Sequence, residues 1–403
     1  MIRKIINGAF RTLHYSNGLV FPLLNVPVPE LLSGKGKVKE LPKVVKSHGV
    51  SKVLVVTDKG IMNIGLAKGL LDALEAEKMN YVVFDEVQPN PTIPNIEAGL
   101  AIYKNNKCDG IIAFGGGSPM DCAKIIGARA KNPKQSILKM RGMFRIWRKL
   151  PPIFAVPTTA GTGSETTVAA IVTNPETHEK FAVISFKLVP LVAVLDPELM
   201  IGLPPHITST TGMDALTHAV EAYIGLNGST FTNENAEKAT KMIFEDLEGV
   251  YKDGSNIKKR NNLALASFYA GSAFTRAQVG YVHAIAHNMG GMYGVPHGLA
   301  NAIILPYILE ISRKDAEKKL AKLAIASGIG KEGESTEQLS NRFIEKVKSM
   351  NKNMGIPTKI KELKEKDIPL IAQRARAEAH PMYPVPTLLN QKELESLIKK
   401  LLP

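Results

Sequence analysis

Two pairs of residues in the second half of this 403-residue sequence have the types and spacing of metal ligands. Asp214 and His218 are four positions apart, and so are His283 and His287, with His297 a short way beyond. Side chains at i and i+4 of a helix lie on one face with Cβ atoms about 5–6 Å apart, so both can reach one cation. Imidazole and carboxylate bind divalent cations, and an incompletely filled shell leaves a position for an oxygen ligand.

Either pair alone has a simpler interpretation, a capped helix start with a hydrogen-bonded core histidine. Hydroxyl residues and Gly212 precede an apolar pattern, so we expect the first helix to begin near Thr210. Both pairs together with Pro296-His297-Gly298 favour a metal site. Spacing does not decide which of His283 and His287 holds the cation.

A glycine-rich turn in the first half could bind a phosphate. The apolar run 110–114 leads into Gly115-Gly116-Gly117-Ser118-Pro119, with the proline placed for the first turn of a helix. Glycines let a pyrophosphate approach the backbone, and a helix N-terminus offers N–H donors. The spacing is neither G-x-G-x-x-G nor a P-loop, so a purely structural turn remains the alternative.

Two further turns also suit a dinucleotide. Asp58 follows the apolar run 52–57, where a carboxylate could bind ribose hydroxyls and disfavour NADP, although a helix cap explains it equally well. The segment 158–165 follows another strand-like run and is rich in hydroxyl residues and glycine. These turns point to NAD as the cofactor.

The predicted secondary structure that must position these residues changes near residue 203, from alternating strands and helices to helices alone. Strand-like runs at 52–57, 81–84, 110–114, 152–157 and 191–195 alternate with helical patterns at 38–48, 65–78 and 95–105. After Pro204-Pro205 only amphipathic helical patterns follow. We therefore predict a mainly parallel, Rossmann-like α/β domain over residues 1–203, with an N-terminal arm at 1–25, and an all-α domain over 204–403.

Composition excludes several other classes. No apolar run approaches the roughly 18 residues of a membrane span, so none is expected. Two cysteines, Cys108 and Cys122, cannot staple this chain and suit a reducing cytoplasm. The net charge of +14 is spread among acidic residues, so we expect no nucleic-acid partner, with the basic, aromatic segment 141–149 as the best feature for that alternative. We interpret this segment as a surface flap or subunit contact.

The order of these motifs resembles the iron-dependent (group III) alcohol dehydrogenase family over roughly residues 25–400. The segments that support the resemblance are 115–124, Pro157 to Thr162, Thr211 to His218, and His283 to His297. The family pattern implies an N-terminal dinucleotide-binding domain and a C-terminal helical metal-binding domain. The N-terminal arm and the segment His380 to Pro386, where many members have an Asn-Pro-Arg ending, depart from the pattern and leave substrate preference open.

The resemblance also implies roles for single residues. It makes Asp214, His218, His283 and His297 the metal ligands, and leaves His287 as a non-ligand histidine that relays a proton or contacts substrate. It implies NAD contacts from Asp58, Asn90, Gly116, Gly117, Ser118, Asp121, Thr158, Thr159, Thr162, Lys180 and Leu199.

We therefore predict a cytoplasmic, homo-oligomeric NAD(H)-dependent alcohol dehydrogenase or aldehyde reductase. It would use Fe²⁺, with Zn²⁺ as the alternative metal, and a primary alcohol or aldehyde as substrate. A zinc-dependent, glycerol-type polyol dehydrogenase or a lyase on the same architecture is the nearest alternative. A basic nucleic-acid-binding protein is the alternative from another class.

Overall fold

The computed structural model describes residues 10–12, 26–177 and 179–403. Their contacts define two compact units. The first comprises Val26–Leu203 and Ser255–Phe268, and the second comprises Pro204–Gly254, Tyr269–Pro403 and the described residues 10–12. The chain thus divides at 203/204, with a short later segment grouped with the first unit. The predicted arm at 1–25 otherwise lies outside the described residues.

The first unit is built on a six-stranded parallel sheet and a small three-stranded sheet. The strands are β1 (Glu30–Ser33), β2 (Lys52–Val56), β3 (Asn80–Phe84), β4 (Gly110–Gly115), β5 (Gly142–Met143), β6 (Ile153–Pro157), β7 (Ala169–Asn174), β8 (Glu179–Ile184) and β9 (Val192–Leu195). The large sheet has the order β1-β9-β6-β4-β2-β3, with every pair parallel. The small sheet has the order β5-β8-β7, in which β7 and β8 are antiparallel.

Helices cover both faces of the large sheet. They are α1 (Leu41–Ser47), α2 (Lys59–Asn63), α3 (Lys68–Ala76), α4 (Ile93–Asn105), α5 (Gly117–Lys131) and α6 (Ile137–Met140). Alternate residues of one strand enter different cores: Ile111 packs in a core with α4 and α5 residues, and Ile112 in a core with α1 and α3 residues. Because both faces are buried, these strands are continuous apolar runs, which is why they are visible in the sequence.

The second unit is helical. Its helices are α7 (Pro205–Ile224), α8 (Thr230–Lys252), the latter part of α9 (Ile257–Ala277), α10 (Tyr281–Tyr293), α11 (His297–Ala326), α12 (Thr336–Asn353), α13 (Ile368–Ala379) and α14 (Gln391–Lys399). The fold class predicted from the sequence, a parallel α/β unit with a helical C-terminal region, is confirmed. No helix in the described parts of the chain is long and apolar enough to cross a membrane.

Two helix boundaries differ from the expectation. The helix predicted at 65–78 is present as α3 but is shorter, Lys68–Ala76, because Gly65 adopts a left-handed φ of 69° in the turn between α2 and α3. Helix α7 begins at Pro205 and not near Thr210, because a proline suits the first turn. The hydroxyl of Thr210 donates to the carbonyl of His206 at 2.8 Å, so it lies inside the helix as a back-bonded residue.

Candidate metal centre and cofactor site

Helix α7 places the first two candidate ligands in the interior of the helical unit. Asp214 is 2% exposed and His218 is 4% exposed. The His218 ring stacks on Phe274 with centroids 4.1 Å apart and on His283 with centroids 4.6 Å apart. Aromatic neighbours on both sides restrict the ring to one orientation, which a metal ligand requires.

Helices α10 and α11 bring the other two candidates to the same place. One donor atom each of Asp214, His218, His283 and His297 lies within 4.8 Å of the others. Three of these residues are buried, whereas the His297 side chain is 42% exposed, so solvent reaches the group from the His297 side. The structure thus brings together the four residues that the family resemblance implies, and His287 is not among them.

Glu221 fixes the tautomer of the His283 ring. It lies on α7 and is buried, and its carboxylate accepts N–H bonds from the backbone of Gly280 and Val282 and from His283 Nδ1 at 2.6 Å. Burial raises the pKa of Glu221 to about 7, against the opposing effect of these donors. Burial first, and then the neighbouring histidines, hold the pKa of His283 well below its usual range. A neutral His283 that donates from Nδ1 presents the lone pair of Nε2 to the group.

A glycine allows α11 to approach α7. A Cβ on Gly298 would lie 2.5 Å from the Thr210 carbonyl oxygen and 3.4 Å from the Asp214 Cβ. Any larger residue would push apart the two helices that hold Asp214 and His297. This contact explains the glycine of the Pro296-His297-Gly298 motif.

The four residues fit a divalent cation. Three imidazoles and one carboxylate are a ligand set of zinc and ferrous iron sites. Asp214 Oδ1, His283 Nε2 and His297 Nε2 all lie within 3.2 Å of the Asn301 side-chain nitrogen, whose hydrogens carry a positive partial charge. The candidate ligand atoms of three residues therefore converge on one N–H donor group, as ligands converge on a cation.

His287 belongs to a neighbouring network. Its ring stacks on His297 with centroids 5.4 Å apart, and its Nδ1 lies 2.7 Å from Glu378 Oε1. The same Glu378 oxygen accepts a hydrogen bond of 2.8 Å from the hydroxyl of the partly buried Tyr383. Desolvation together with Glu378 raises the pKa of Tyr383 well above its usual value. Sequence reasoning missed Glu378 and Tyr383. Tyr383 lies in the C-terminal segment, His380 to Pro386, that departs from the family pattern. That departure was the sequence feature that could have pointed to Tyr383.

The predicted cofactor residues of the first unit lie mainly at one edge of the large sheet. The turns after β2, β4 and β6 adjoin because these strands are parallel neighbours. Asn90 has a left-handed φ of 57°, accepts a hydrogen bond of 2.8 Å from Lys180 and donates its N–H to Ser118 at 3.2 Å. Partial desolvation lowers the pKa of Lys180. Asn90, Ser118 and Lys180 thus form one polar cluster at the start of α5.

The glycine turn meets the hydroxyl-rich loop. The Thr158 N–H donates to the Gly115 carbonyl at 3.1 Å. A Cβ on Gly116 would lie 3.6 Å from Thr159 Oγ1, and one on Gly117 would lie 3.3 Å from Thr162 Cγ2. A side chain at Gly116 would be in ordinary contact, and one at Gly117 would be tight. The hydroxyls and amides of the two segments line one region.

Three predicted contact residues also have structural partners. Asp58 caps α2 by accepting the Ile61 N–H at 2.9 Å, the role that the sequence left open beside ribose binding. Both Asp121 oxygens accept hydrogen bonds within the protein, from Ser164 and from the Ile171 N–H. Leu199 packs in a core cluster of the sheet. Their contacts with NAD remain predictions.

Comparison with known proteins agrees with this arrangement. Residues 28–197 match the family model described as iron-containing alcohol dehydrogenase, and residues 208–402 match that of the Fe-containing alcohol dehydrogenase family, C-terminal. The chain is 39% identical to the 1,3-propanediol dehydrogenase of Citrobacter freundii over 88% of this chain and 92% of that protein. It is 36% identical to the NAD-dependent methanol dehydrogenase of Bacillus methanolicus over 86% and 91%.

The fold has a close match among solved structures. A crystal structure of 1,3-propanediol oxidoreductase is similar with a TM-score of 0.90 and 37% identity, covering 93% of this chain and 99% of that chain. The two family models between them span most of the sequence, and the residues that they cover include all four members of the metal-ligand group. The chain therefore belongs to the iron-containing alcohol dehydrogenase family, and the resemblance inferred from its motifs is confirmed.

Proposed function

We propose that this chain catalyses reversible hydride transfer between NAD(H) and a small primary alcohol or aldehyde, with Fe²⁺ as the resident metal. The observation that best supports the proposal is the convergence of four ligand atoms within 4.8 Å in a member of this family. Asp214, His218, His283 and His297 would hold the cation. When bound, the cation polarises the oxygen of an alcohol or carbonyl group without moving a proton.

His287 is the residue that we propose moves the proton. The Nδ1 atom of His287 is hydrogen-bonded to Glu378. Nε2 is therefore the ring nitrogen expected to exchange a proton with the substrate hydroxyl, directly or through water. Glu378 is in turn held by Tyr383, which fixes the ring orientation of His287. His287 also stacks on His297 and is therefore adjacent to the metal group.

NAD is the cofactor that we infer for the polar cluster of Asn90, Ser118 and Lys180. The N-terminus of α5 follows Gly115 and Gly116 and presents N–H groups suited to a pyrophosphate. A relative that is 36% identical is NAD-dependent by name. When bound, NAD supplies a nicotinamide ring that accepts or returns the hydride.

The setting of the enzyme is also a proposal. Cys108 and Cys122 are buried free thiols, which suits a reducing cytoplasm. Trp147 is 80% exposed in the segment 141–149, which supports a subunit contact in a homo-oligomer. Arg141 in that segment pairs with Glu179, and the mixed charges support our expectation of no nucleic-acid partner.

An anaerobic substrate screen tests the activity. The full-length protein is supplied with NAD and a panel of primary alcohols, or with NADH and aldehydes, and NADH absorbance is followed. We expect turnover by the wild type, loss of at least 100-fold in His297→Ala, and retention in His206→Ala, which removes an exposed histidine of α7. Absence of turnover in metal-loaded wild type with the whole panel would refute the proposal.

The same assay tests the cofactor assignment. We expect Asp58→Gly to raise the ratio of kcat/KM for NADP to that for NAD, because a carboxylate near the ribose disfavours a 2′-phosphate. Asp85→Gly, in the neighbouring turn, is the control. An unchanged ratio would leave Asp58 with its helix-capping role alone.

A further inference from the structure

Asn301 lies at the centre of the metal-ligand group, although neither spacing nor family resemblance singles it out. It follows His297 by one turn of α11 and is fully buried. Its side-chain nitrogen is 2.7 Å from Asp214 Oδ1, 3.1 Å from His297 Nε2 and 3.2 Å from His283 Nε2. One amide thus contacts three of the four candidate ligands through the atoms that would bind the cation.

The three contacts are not equally compatible with a cation. A neutral imidazole has one acceptor lone pair. The Nε2 atom of His283, or of His297, therefore cannot accept a hydrogen bond while it binds a metal. A carboxylate oxygen has two lone pairs, so Asp214 can bind a metal and still accept from Asn301. Of the three, the bond to Asp214 is therefore the one that the amide can keep when a cation is held.

We propose that Asn301 is a positioning residue of the metal centre, whose amide orients the Asp214 carboxylate for the cation. The inference rests on the metal site of the proposed function. Without the cation, the same N–H groups offset the repulsion between converging lone pairs and keep His283 and His297 close to Asp214. Removing a residue that hydrogen-bonds to a metal ligand typically weakens metal binding by about 10- to 100-fold.

Cobalt binding to the full-length protein tests this inference. Asn301→Ala removes the amide, and Asn301→Leu removes its donors while keeping a similar volume. Asn351→Ala is the matched control, because Asn351 is another buried asparagine, whose amide donates to the backbone carbonyl of Ala302 at 2.6 Å and not to a candidate ligand. The Kd for Co²⁺ is measured by competition with a chelator, and the visible absorption of bound Co²⁺ reports on ligand geometry.

We expect both Asn301 variants to bind Co²⁺ at least 10-fold more weakly than wild type and with a changed absorption spectrum. Asn351→Ala should have a Kd within twofold of the wild-type value and an unchanged spectrum. A folded Asn301→Leu with the wild-type Kd and spectrum would overturn the inference while leaving the metal site intact. Failure of the wild type itself to bind Co²⁺ would instead refute the proposed function.

A second measurement does not depend on the variants folding. In a crystal structure of the Co²⁺-loaded wild type, the Asn301 side-chain nitrogen should remain within hydrogen-bond distance of the Asp214 carboxylate. Its separation from that carboxylate would overturn the inference.

Discussion

Glu221 connects two of the helices that hold ligands. It is buried on α7 and accepts from the backbone at the start of α10 as well as from His283 Nδ1. A carboxylate that accepts from the second ring nitrogen fixes the tautomer of a ligating histidine and raises its basicity. Glu221 therefore determines both where His283 lies and which nitrogen it offers to a metal.

Replacing Glu221 with glutamine should weaken metal binding by about 10- to 100-fold. The amide can direct N–H groups at Nδ1 and so favour the tautomer that is protonated at Nε2. The Kd for Co²⁺ checks this, with Glu237→Gln as control, since Glu237 accepts a hydrogen bond from Tyr223 and is not among the candidate ligands. An unchanged Kd in Glu221→Gln would show that the carboxylate does not govern His283.

Glu165 offers a test of a buried charge in the α/β unit. Burial raises its pKa from 4.5 to about 7, with Lys124 opposing the shift. The folded state then binds more protons than the unfolded state between about pH 4.5 and 7, so stability falls as pH rises through that window. The full cost is present above pH 7.

Glu165→Gln should consequently exceed wild type in Tm by less at pH 5 than at pH 8. The gain should be on the order of 1–3 kcal/mol, because each pKa unit corresponds to about 1.4 kcal/mol. Exposed Glu176→Gln is the control and should show no difference between the two pH values. A Glu165→Gln variant less stable than wild type at pH 8 would show that the ionised group is stabilised by its surroundings.

Spacing predicted the two candidate pairs, and the family resemblance was needed to choose the four ligands among them, but their partners could not be predicted. Asp214 with His218 and His283 with His287 follow a helical spacing, so a single turn brings each pair onto one face. Glu221 lies 62 positions from His283, and Glu378 lies 91 positions from His287. Only tertiary packing pairs such residues. Asn301 has the same i+4 relation to His297, so its spacing was available, but an asparagine alone does not indicate a metal.

Among the helices, the junction of α7 with α11 is sensitive to side-chain size. Gly298 lies against the backbone of Thr210, and its neighbour His297 begins α11. A helix displaced here moves His297 relative to Asp214, whose Oδ1 lies 3.6 Å from His297 Nε2. Metal affinity should therefore depend on a residue with no ligand atom of its own.

Gly298→Ala should lower metal affinity at least 10-fold, because a Cβ 2.5 Å from a carbonyl oxygen forces the helices apart. Gly291→Ala on α10 is the control, since a Cβ there meets nothing within 4 Å. It should be neutral or should stabilise the helix by up to about 1 kcal/mol. Equal metal affinity in Gly298→Ala and wild type would mean that α11 tolerates the shift without moving His297.

The strands of the large sheet were visible as buried apolar runs, whereas other elements were not. Edge strand β1 is four residues long, and β7 and β8 form a small sheet with a partly buried alternating pattern. The predicted helix at 65–78 begins later than expected, at Lys68, because Gly65 takes a left-handed conformation, which glycine permits but does not require. The backbone conformation of such a glycine depends on the packing around its turn, which the sequence pattern does not show.

Across the chain, the two departures from the family pattern meet beside the candidate proton-relay residue. Arg11 donates to the Val385 carbonyl at 2.6 Å, and the Phe10 ring lies edge-on to His380 with centroids 5.3 Å apart. Tyr383 in the same C-terminal segment holds Glu378, which binds His287. The described part of the N-terminal arm and this segment therefore support one another, and we expect them to influence substrate preference together.

The most direct test of the account is metal stoichiometry and turnover measured on the same anaerobic samples. Wild type, His283→Ala and His206→Ala are stripped with a chelator, reloaded with Fe²⁺, and assayed for bound iron and for NADH-linked turnover. The account predicts about one iron per chain and restored turnover in wild type and His206→Ala, with both lost in His283→Ala while NAD still binds. Full turnover by chelated wild type, or by His283→Ala without iron, would contradict it.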